Sequence, residues 1–260
     1  MRVLVVGGTG SAGRPLVTEL QHRGHDVAVL GRTAGKAPAG ARDLTGDLTS
    51  GAGLVDACRD VHAVVHVANG IGRAARPVLV EGTHRLVDAA AGAGVGHVVV
   101  LSICGVDRTP LGYHRAKVEQ ERAVAAAGVP WSILRATQFH ELLTQIFASS
   151  ARRGAVLALA RTPLRPVAAT TAASALADLV DAGPSGHVSD LAGPAVIECV
   201  EAALGWRRAT GVRRPVLPLW LPGEGGRMLR AGALVPDRGR FAGPSYAEWL
   251  AGRHATRTSA

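Results

Sequence analysis

The chain has 260 residues, of which 47% are hydrophobic and 19% charged, and its formal charge is +9. This balance excludes a disordered chain, because the apolar residues suffice to build the core of one α/β domain. Nucleic acid is not the expected partner, since the basic surplus is concentrated in residues 206–260 and no nucleic-acid-binding motif accompanies it.

Two further features of the composition bear on where the protein works. No apolar run approaches the roughly 18 residues of a membrane span, and the N-terminal run is too short for a signal peptide. The three cysteines, Cys58, Cys104 and Cys199, form no CxxC pair, which argues against a disulfide framework or a zinc site. We therefore predict a cytoplasmic protein with neither a membrane span nor a metal site.

Short apolar strands alternate with amphipathic helices through the first 150 residues. The pattern predicts, in chain order, strand 2–6, helix 15–23, strand 26–30, a strand end at 43–44, helix 54–58, strand 62–67, helix 80–91, strand 95–101, helix 113–127, strand 130–135 and helix 139–152. Such alternation is typical of βαβ units. It predicts an α/β fold in which helices cover both faces of a doubly wound parallel sheet.

The pattern loosens after residue 153, where glycine, proline and arginine are frequent. It still predicts strands at 164–167 and 187–191, helices at 171–181 and 195–204, an apolar run at 216–221 and a closing helix at 244–253. We interpret these residues as a C-terminal portion laid over the edge of the sheet where ligands bind.

A glycine-rich turn, GGTGSAG at 7–13, joins the first strand to the first helix and fits GxGxxG from Gly8. Glycines there let the backbone approach a pyrophosphate, and the helix N-terminus adds free N–H groups and partial positive charge. The strand before the turn and the helix after it make dinucleotide binding the expected function. The predicted contacts are Gly7, Thr9, Gly10, Ser11, Ala12 and Gly13.

Later strand ends refine the cofactor prediction. Arg32 follows the second strand, where an NAD site carries an acidic residue, and a guanidinium suits a 2′-phosphate. This favours NADP(H), although Arg32 stacking on the adenine is an alternative. Asp47 and Leu48 are predicted to contact the adenine. Ala68 and Asn69 stand where the dinucleotide passes close to the backbone.

Tyr113 and Lys117, four residues apart on a predicted helix, lie on one helix face and suggest catalysis. A nearby ammonium lowers the pKa of a phenol. We expect Tyr113 to protonate a carbonyl oxygen, Lys117 to hold the nicotinamide ribose, and Ser102 to bind the substrate oxygen. The alternative is an amphipathic helix with a packed tyrosine and a solvated lysine.

Gln138, Phe139 and His140 follow the sixth strand and are predicted to contact the substrate. The alternative for this segment is a cap for the next helix.

These motifs together resemble the atypical short-chain dehydrogenase/reductases of the NmrA-like, NAD(P)H-binding branch. The segments that carry the resemblance are GGTGSAG at 7–13, GR at 31–32, GDL at 46–48, VEGTHRLVDAA at 80–90, HVVVLSICGVD at 97–107, YHRAK at 113–117 and WSILRATQFHE at 131–141. The resemblance implies a Rossmann-type fold, NADP(H) as cofactor, and Ser102, Tyr113 and Lys117 as the catalytic set.

We therefore predict a single NAD(P)-binding domain, 1–260, with its nucleotide-binding core at about 1–137 and a substrate-covering portion at about 138–260. The predicted function is an NADP(H)-dependent oxidoreductase. It would transfer hydride to a carbonyl or conjugated alkene of a small to mid-sized, partly apolar molecule. Two alternatives are a non-catalytic NADP(H)-binding redox sensor and an isomerase, epimerase or cyclase. Assembly into a homo-oligomer is left open.

Overall fold

The computed structural model describes residues 1–258 of the chain, with side chains through residue 253. Contacts between residues divide the chain into two compact units. The second unit consists of all described residues that do not belong to the first. The chain passes from the first unit to the second after Ser102, after Arg135 and after Val188. The first unit comprises Met1–Ser102, Gly112–Arg135 and Ala172–Val188.

The early elements follow the predicted alternation of strands and helices. They are β1 (Arg2–Val6), α1 (Gly13–His22), β2 (Asp26–Gly31), β3 (Arg42–Thr45), α2 (Leu54–Ala57), β4 (Ala63–His66), α3 (Gly82–Gly92), β5 (His97–Ile103), α4 (Gly112–Ala125) and β6 (Trp131–Ala136). The later elements are α5 (His140–Ala151), β7 (Val156–Leu159), β8 (Pro163–Leu164), α6 (Ala169–Ala182), β9 (Gly186–His187), β10 (Leu191–Ala192), β11 (Ile197–Glu198), α7 (Cys199–Thr210), β12 (Val216–Leu219), α8 (Gly223–Arg230), β13 (Arg240–Phe241) and α9 (Tyr246–Thr258).

The first unit is built on a sheet with the strand order β3-β2-β1-β4-β5-β6. Strand β1 pairs in parallel with β2 on one side and β4 on the other, with Val3 opposite Val27 and Ala63. The strand order therefore reverses between β1 and β4, and ligands of open α/β sheets bind in the crevice at such a reversal. The predicted doubly wound parallel sheet is confirmed.

Both faces of this sheet are covered, which explains why its strands are almost continuously apolar. On one face, Leu4 of β1 belongs to a buried cluster with Leu86 of α3 and Val124 of α4. Helix α1 is joined to α6 through Arg23, whose guanidinium bonds the carboxylates of Asp178 at 3.0 Å and Asp181 at 2.8 Å. Residues 172–188 thus belong to the first unit, although residues 136–171 do not.

The second unit has small sheets and a core that includes Phe147, Trp206 and Tyr246. Strand β7, which the sequence pattern did not predict, pairs in parallel with β12. Helix α7 begins at Cys199 rather than at the predicted residue 195, because Ile197 and Glu198 first pair with β8. Helix α8 was not predicted either, since its three glycines lower helix propensity. Among the described residues, no helix is both long and apolar enough to cross a membrane.

Candidate active site

The glycine-rich turn packs directly against the end of β4. Gly7 has φ +92°, and a Cβ atom there would lie 2.5 Å from the backbone nitrogen of Ala68. The N–H of Gly10 donates to the Gly7 carbonyl at 3.1 Å, which closes the turn. A Cβ at Gly13 would overlap the Gly7 carbonyl, so the first turn of α1 sits against the loop backbone. Only glycine fits at Gly7 and Gly13.

The start of α1 is suited to an anion. Ala12 occupies the N-cap and has no side chain that could cap the helix, and the first turn carries no carboxylate. Arg14 donates from Nε to the carbonyl of Thr9 at 3.1 Å and so fixes the turn. An uncapped helix N-terminus beside a close-packed glycine turn fits the pyrophosphate of a dinucleotide.

Arg32, at the end of β2, is exposed and has no hydrogen bond or ion pair to any described residue. Asp47 accepts hydrogen bonds from the backbone N–H and the hydroxyl of Thr49 at 2.9 and 2.8 Å. These bonds hold the pKa of Asp47 below its usual value, and the charge of Arg32 lowers it further. Leu48 is buried in the core of the first unit. The contacts of these three residues with a nucleotide stay predictions.

The Tyr113 hydroxyl donates to Asn69 Oδ1 at 2.9 Å, and its ring packs against the cluster of Ala75, Leu79, Val80 and Ala116. Asn69 follows Ala68, so this contact places the phenol close to the glycine-rich turn. Burial raises the pKa of Tyr113. The lowered phenol pKa that the Tyr-x-x-x-Lys spacing led us to expect is not found, because burial outweighs the hydrogen bond. A phenol of this kind carries its proton at neutral pH.

Lys117 is buried rather than solvated, which excludes the solvated-lysine alternative. Its ammonium donates to the carbonyl of Leu101 at 2.7 Å and to Gln120 Oε1 at 2.8 Å. Desolvation lowers the pKa of Lys117 to about 8, against a smaller opposite effect of Glu121. The ammonium therefore anchors the strand residue that immediately precedes Ser102. Contact of Lys117 with a nicotinamide ribose stays a prediction.

Gln120 extends this contact into a buried polar network that the sequence did not predict. Because its Oε1 faces the ammonium, its amide nitrogen faces His66 Nε2 at 3.0 Å and Thr83 Oγ1 at 3.1 Å. Burial and the charge of Lys117 lower the pKa of His66 to about 3, so the ring is neutral. The three-residue spacing of Lys117 and Gln120 was the only signal in the sequence.

Ser102, near the end of β5, is 3% exposed, and its hydroxyl has no hydrogen-bond partner among the described residues. A buried hydroxyl without a partner costs about 1–3 kcal/mol. A ligand oxygen would satisfy it, as predicted for the substrate.

Gln138, Phe139 and His140 belong to the second unit. Gln138 Oε1 is buried and has no partner among the described residues, while Phe139 forms a β-bridge with Val167. His140 is fully buried, with Nε2 3.1 Å from the carbonyl of Pro244. Packing accounts for the position of His140, and contact of these residues with a substrate stays a prediction. Across the described residues, no group of His, Cys, Asp and Glu could hold a metal ion.

A family profile described as NAD(P)H-binding matches residues 7–178, more than half of the chain. The chain belongs to this family. The resemblance to atypical, NmrA-like short-chain dehydrogenase/reductases is thereby confirmed, and with it the binding of NAD(P)H. The individual contacts of the glycine-rich turn with the dinucleotide stay predictions.

Several relatives are reductases. A 3-diazoavenalumate denitrifying reductase of a Streptomyces species is 36% identical over 116 residues, 40% of this chain and 38% of the relative. The chloroplastic divinyl chlorophyllide a 8-vinyl-reductase of Oryza sativa subsp. indica is 34% identical over 167 residues, 54% of this chain and 40% of the relative. The chain thus spans about two fifths of these two proteins.

A third relative is matched over more of its length. The (4-alkanoyl-5-oxo-2,5-dihydrofuran-3-yl)methyl phosphate reductase of Streptomyces griseus is 31% identical over 218 residues, 80% of this chain and 74% of the relative. Among solved structures, the NADPH-dependent quinone oxidoreductase QOR2 of Escherichia coli, complexed with NADPH, superimposes with a TM-score of 0.78. The identity is 20%, over 96% of this chain and 99% of that one. This likeness confirms the Rossmann-type fold.

Proposed function

We propose that the protein is an NADP(H)-dependent reductase of a carbonyl or conjugated alkene. The observation that carries the proposal is the Tyr113 phenol, which is partly buried, keeps its proton and is bonded to Asn69 beside the glycine-rich turn. Bound NADPH would supply the hydride. Tyr113 would then exchange its bond to Asn69 for one to the substrate oxygen and give that oxygen its proton.

The two other predicted catalytic residues support this step. The Ser102 hydroxyl, which has no partner among the described residues, would donate a hydrogen bond to the same substrate oxygen. Lys117 would hold the Leu101 carbonyl and thereby keep the end of β5, with Ser102, in place. Ser102 and Tyr113 would thus act on the oxygen, while Lys117 positions the strand.

The relatives support an alkene as well as a carbonyl. Two are named as reductases of a vinyl group and of a dihydrofuranyl phosphate. Hydride addition to such an alkene, when it is conjugated to a carbonyl, places the negative charge on the carbonyl oxygen. Protonation of that oxygen gives an enol, which tautomerises to the saturated carbonyl compound. The chemistry assigned to Tyr113 is therefore the same for both substrate classes.

A panel of ketones, quinones and conjugated enones, followed by NADPH absorbance, tests the proposal. Oxidation of NADPH with at least one class supports it. Tight NADPH binding without oxidation by any member would favour the redox sensor. Product formation without net loss of NADPH would favour an isomerase, epimerase or cyclase.

The preference for NADP(H) has its own test at Arg32. Arg32→Asp removes a phosphate partner and adds a repelling charge, so NADPH affinity should fall by about tenfold or more, equivalent to roughly 1.5–3 kcal/mol. NADH affinity should change little, because NADH lacks the 2′-phosphate. Both are measured by nucleotide fluorescence titration, with Arg122→Asp on exposed α4 surface as the control. Equal affinities of the parent for NADPH and NADH would contradict the preference.

A further inference from the structure

The small sheet formed by β7 and β12 in the second unit packs one face on the core and leaves the other open to solvent. The two strands are parallel, and Val156 lies opposite Val216. Val156 is buried in the core of this unit, and Val216 packs against that core. The next pair is Leu157 and Leu217. Because successive side chains of a strand point to opposite faces, Leu157, Leu217 and Leu219 share the outer face.

Large apolar side chains are exposed on this outer face and at the end of β12 where the chain leaves the sheet. The exposed fractions are 47% for Leu217, 43% for Leu219, 58% for Trp220 and 37% for Leu221. The guanidinium of Arg230 stacks on the Trp220 ring, 3.8 Å from its centre, and donates to the Leu221 carbonyl at 2.9 Å. Contiguous exposed apolar side chains of this kind mark an interaction surface, whereas single ones do not.

Arginines are concentrated at the opposite end of the same sheet. Pairs of them stand at the end of α5, in the last turn of α7 and directly before Pro215, and they are Arg152, Arg153, Arg207, Arg208, Arg213 and Arg214. The segments that precede the two parallel strands meet there, since the Val156 N–H donates to the Pro215 carbonyl at 2.8 Å. Within the part of the chain that the structure describes, none of the six forms an ion pair. Only Arg153 has a side-chain hydrogen bond, to Ser149.

The combination of this charge with exposed apolar side chains distinguishes between three kinds of partner. A second copy of the chain would cover the leucines, but in a two-fold dimer the same basic surface lies on both sides and offers the arginines no net negative charge. A nucleic acid would match the arginines and leave Trp220 and the leucines in water. An anionic bilayer matches both, because its headgroups attract arginine and its interface takes up tryptophan and leucine.

We propose that the outer face of β12, with Trp220, Leu221 and the six arginines, is a docking surface for an anionic lipid bilayer. The protein would lie on the bilayer and not cross it. Binding of this kind is reversible, since few apolar side chains enter the interface and salt screens the arginines. The proposal does not depend on the reductase function, because lipid binding is measured without a substrate.

Sedimentation with lipid vesicles tests the proposal. Vesicles of phosphatidylcholine with about 30% phosphatidylserine should bind the protein at least about a hundredfold more strongly than vesicles of phosphatidylcholine alone. Raising the salt concentration from about 50 to 300 mM should weaken this binding by about tenfold or more. Protein that stays in the supernatant with both lipids, or that binds both equally, would overturn the proposal.

Charge-matched variants show which arginines meet the lipid. Arg213→Gln with Arg214→Gln should weaken binding to the anionic vesicles by about tenfold or more. The control is Arg42→Gln with Arg122→Gln, which removes two exposed arginines from the first unit. It should change binding by less than about threefold, because these arginines do not belong to the proposed surface. Equal losses in the two double variants would indicate attraction by net charge alone and contradict a docking surface.

The apolar side chains have a control of equal exposure. Leu217→Ala with Leu219→Ala should weaken binding by about fivefold, because less apolar area enters the interface. Leu142 and Ile146 of α5 are 43% and 47% exposed, the same fractions as Leu219 and Leu217. Leu142→Ala with Ile146→Ala should therefore leave binding within about twofold. The opposite order of these effects would place α5, and not β12, on the lipid.

Trp220 reports directly on which surface enters the bilayer. Anionic vesicles with brominated acyl chains should quench part of the tryptophan fluorescence of the parent, and Trp220→Phe should remove most of this quenching. Quenching that persists in Trp220→Phe would overturn the proposal. So would a dimer that forms without lipid and dissociates in the Leu217 and Leu219 double variant, or binding to duplex DNA in the absence of any binding to vesicles.

Discussion

Replacing Tyr113 with phenylalanine should lower kcat by about 10²–10⁴-fold while NADPH affinity stays within about twofold. The variant keeps the ring and its packing against Leu79 and Ala116, so the fold is retained. It loses the hydroxyl that donates to Asn69 and that would protonate the substrate oxygen. Steady-state kinetics with an active substrate from the panel, together with NADPH titration, measures both effects.

The second tyrosine of the chain is a matched control. Tyr246 is buried more fully than Tyr113, and its hydroxyl lies 3.2 Å from the Thr144 hydroxyl in the second unit. Tyr246→Phe removes the same atom, so it should cost about 0.5–1.5 kcal/mol of stability and leave kcat within about threefold. A Tyr113→Phe protein with near-parent turnover would remove Tyr113 from the mechanism.

The largest expected effect on stability concerns the ammonium of Lys117. Burial lowers its pKa from 10.5 to about 8 in the folded protein. Between these two pH values the unfolded chain binds more protons than the folded one, so stability due to this group increases as the pH rises. Lys117→Met lacks this titration. From pH 7 to pH 10 the parent should therefore gain about 2–3 kcal/mol in free energy of unfolding relative to the variant.

Urea unfolding followed by tryptophan fluorescence at the two pH values measures this difference. The chain has only one other lysine, Lys36, which is exposed. Lys36→Met should track the parent at both pH values to within about 0.5 kcal/mol. If the gap between Lys117→Met and the parent is the same at pH 7 and pH 10, Lys117 does not titrate as a buried ammonium.

The parts of the fold that the sequence predicted are those determined by local pattern. Strand β1 was predicted at residues 2–6 and observed there, because a strand covered on both faces must be apolar throughout. The glycine-rich turn could also be predicted from the sequence. The close approach of Gly7 to Ala68 leaves no room for a side chain, so this position requires glycine. Strand β7 escaped prediction because its partner, β12, lies about 60 residues further along the chain.

The sequence predicted which polar residues form the candidate site, but it did not predict the burial or the hydrogen-bond partners of their side chains. The spacing of Tyr113 and Lys117 places both on α4, but it does not say which of the two is desolvated. The bond of Lys117 to Leu101 and the contact of Gln120 with His66 depend on how α4 packs against β4 and β5. Such contacts come from distant parts of the chain, so no local pattern signals them.

The return of α6 to the first unit limits how the gene can be shortened. An expressed fragment of residues 1–137 would contain the glycine-rich turn and the Tyr113–Lys117 helix, but it would lack residues 172–188. Arg23 would then keep Glu19 and lose the carboxylates of Asp178 and Asp181. A nucleotide-binding fragment that keeps these ion pairs therefore has to replace residues 136–171 with a short linker and end after residue 188, rather than stop at residue 137.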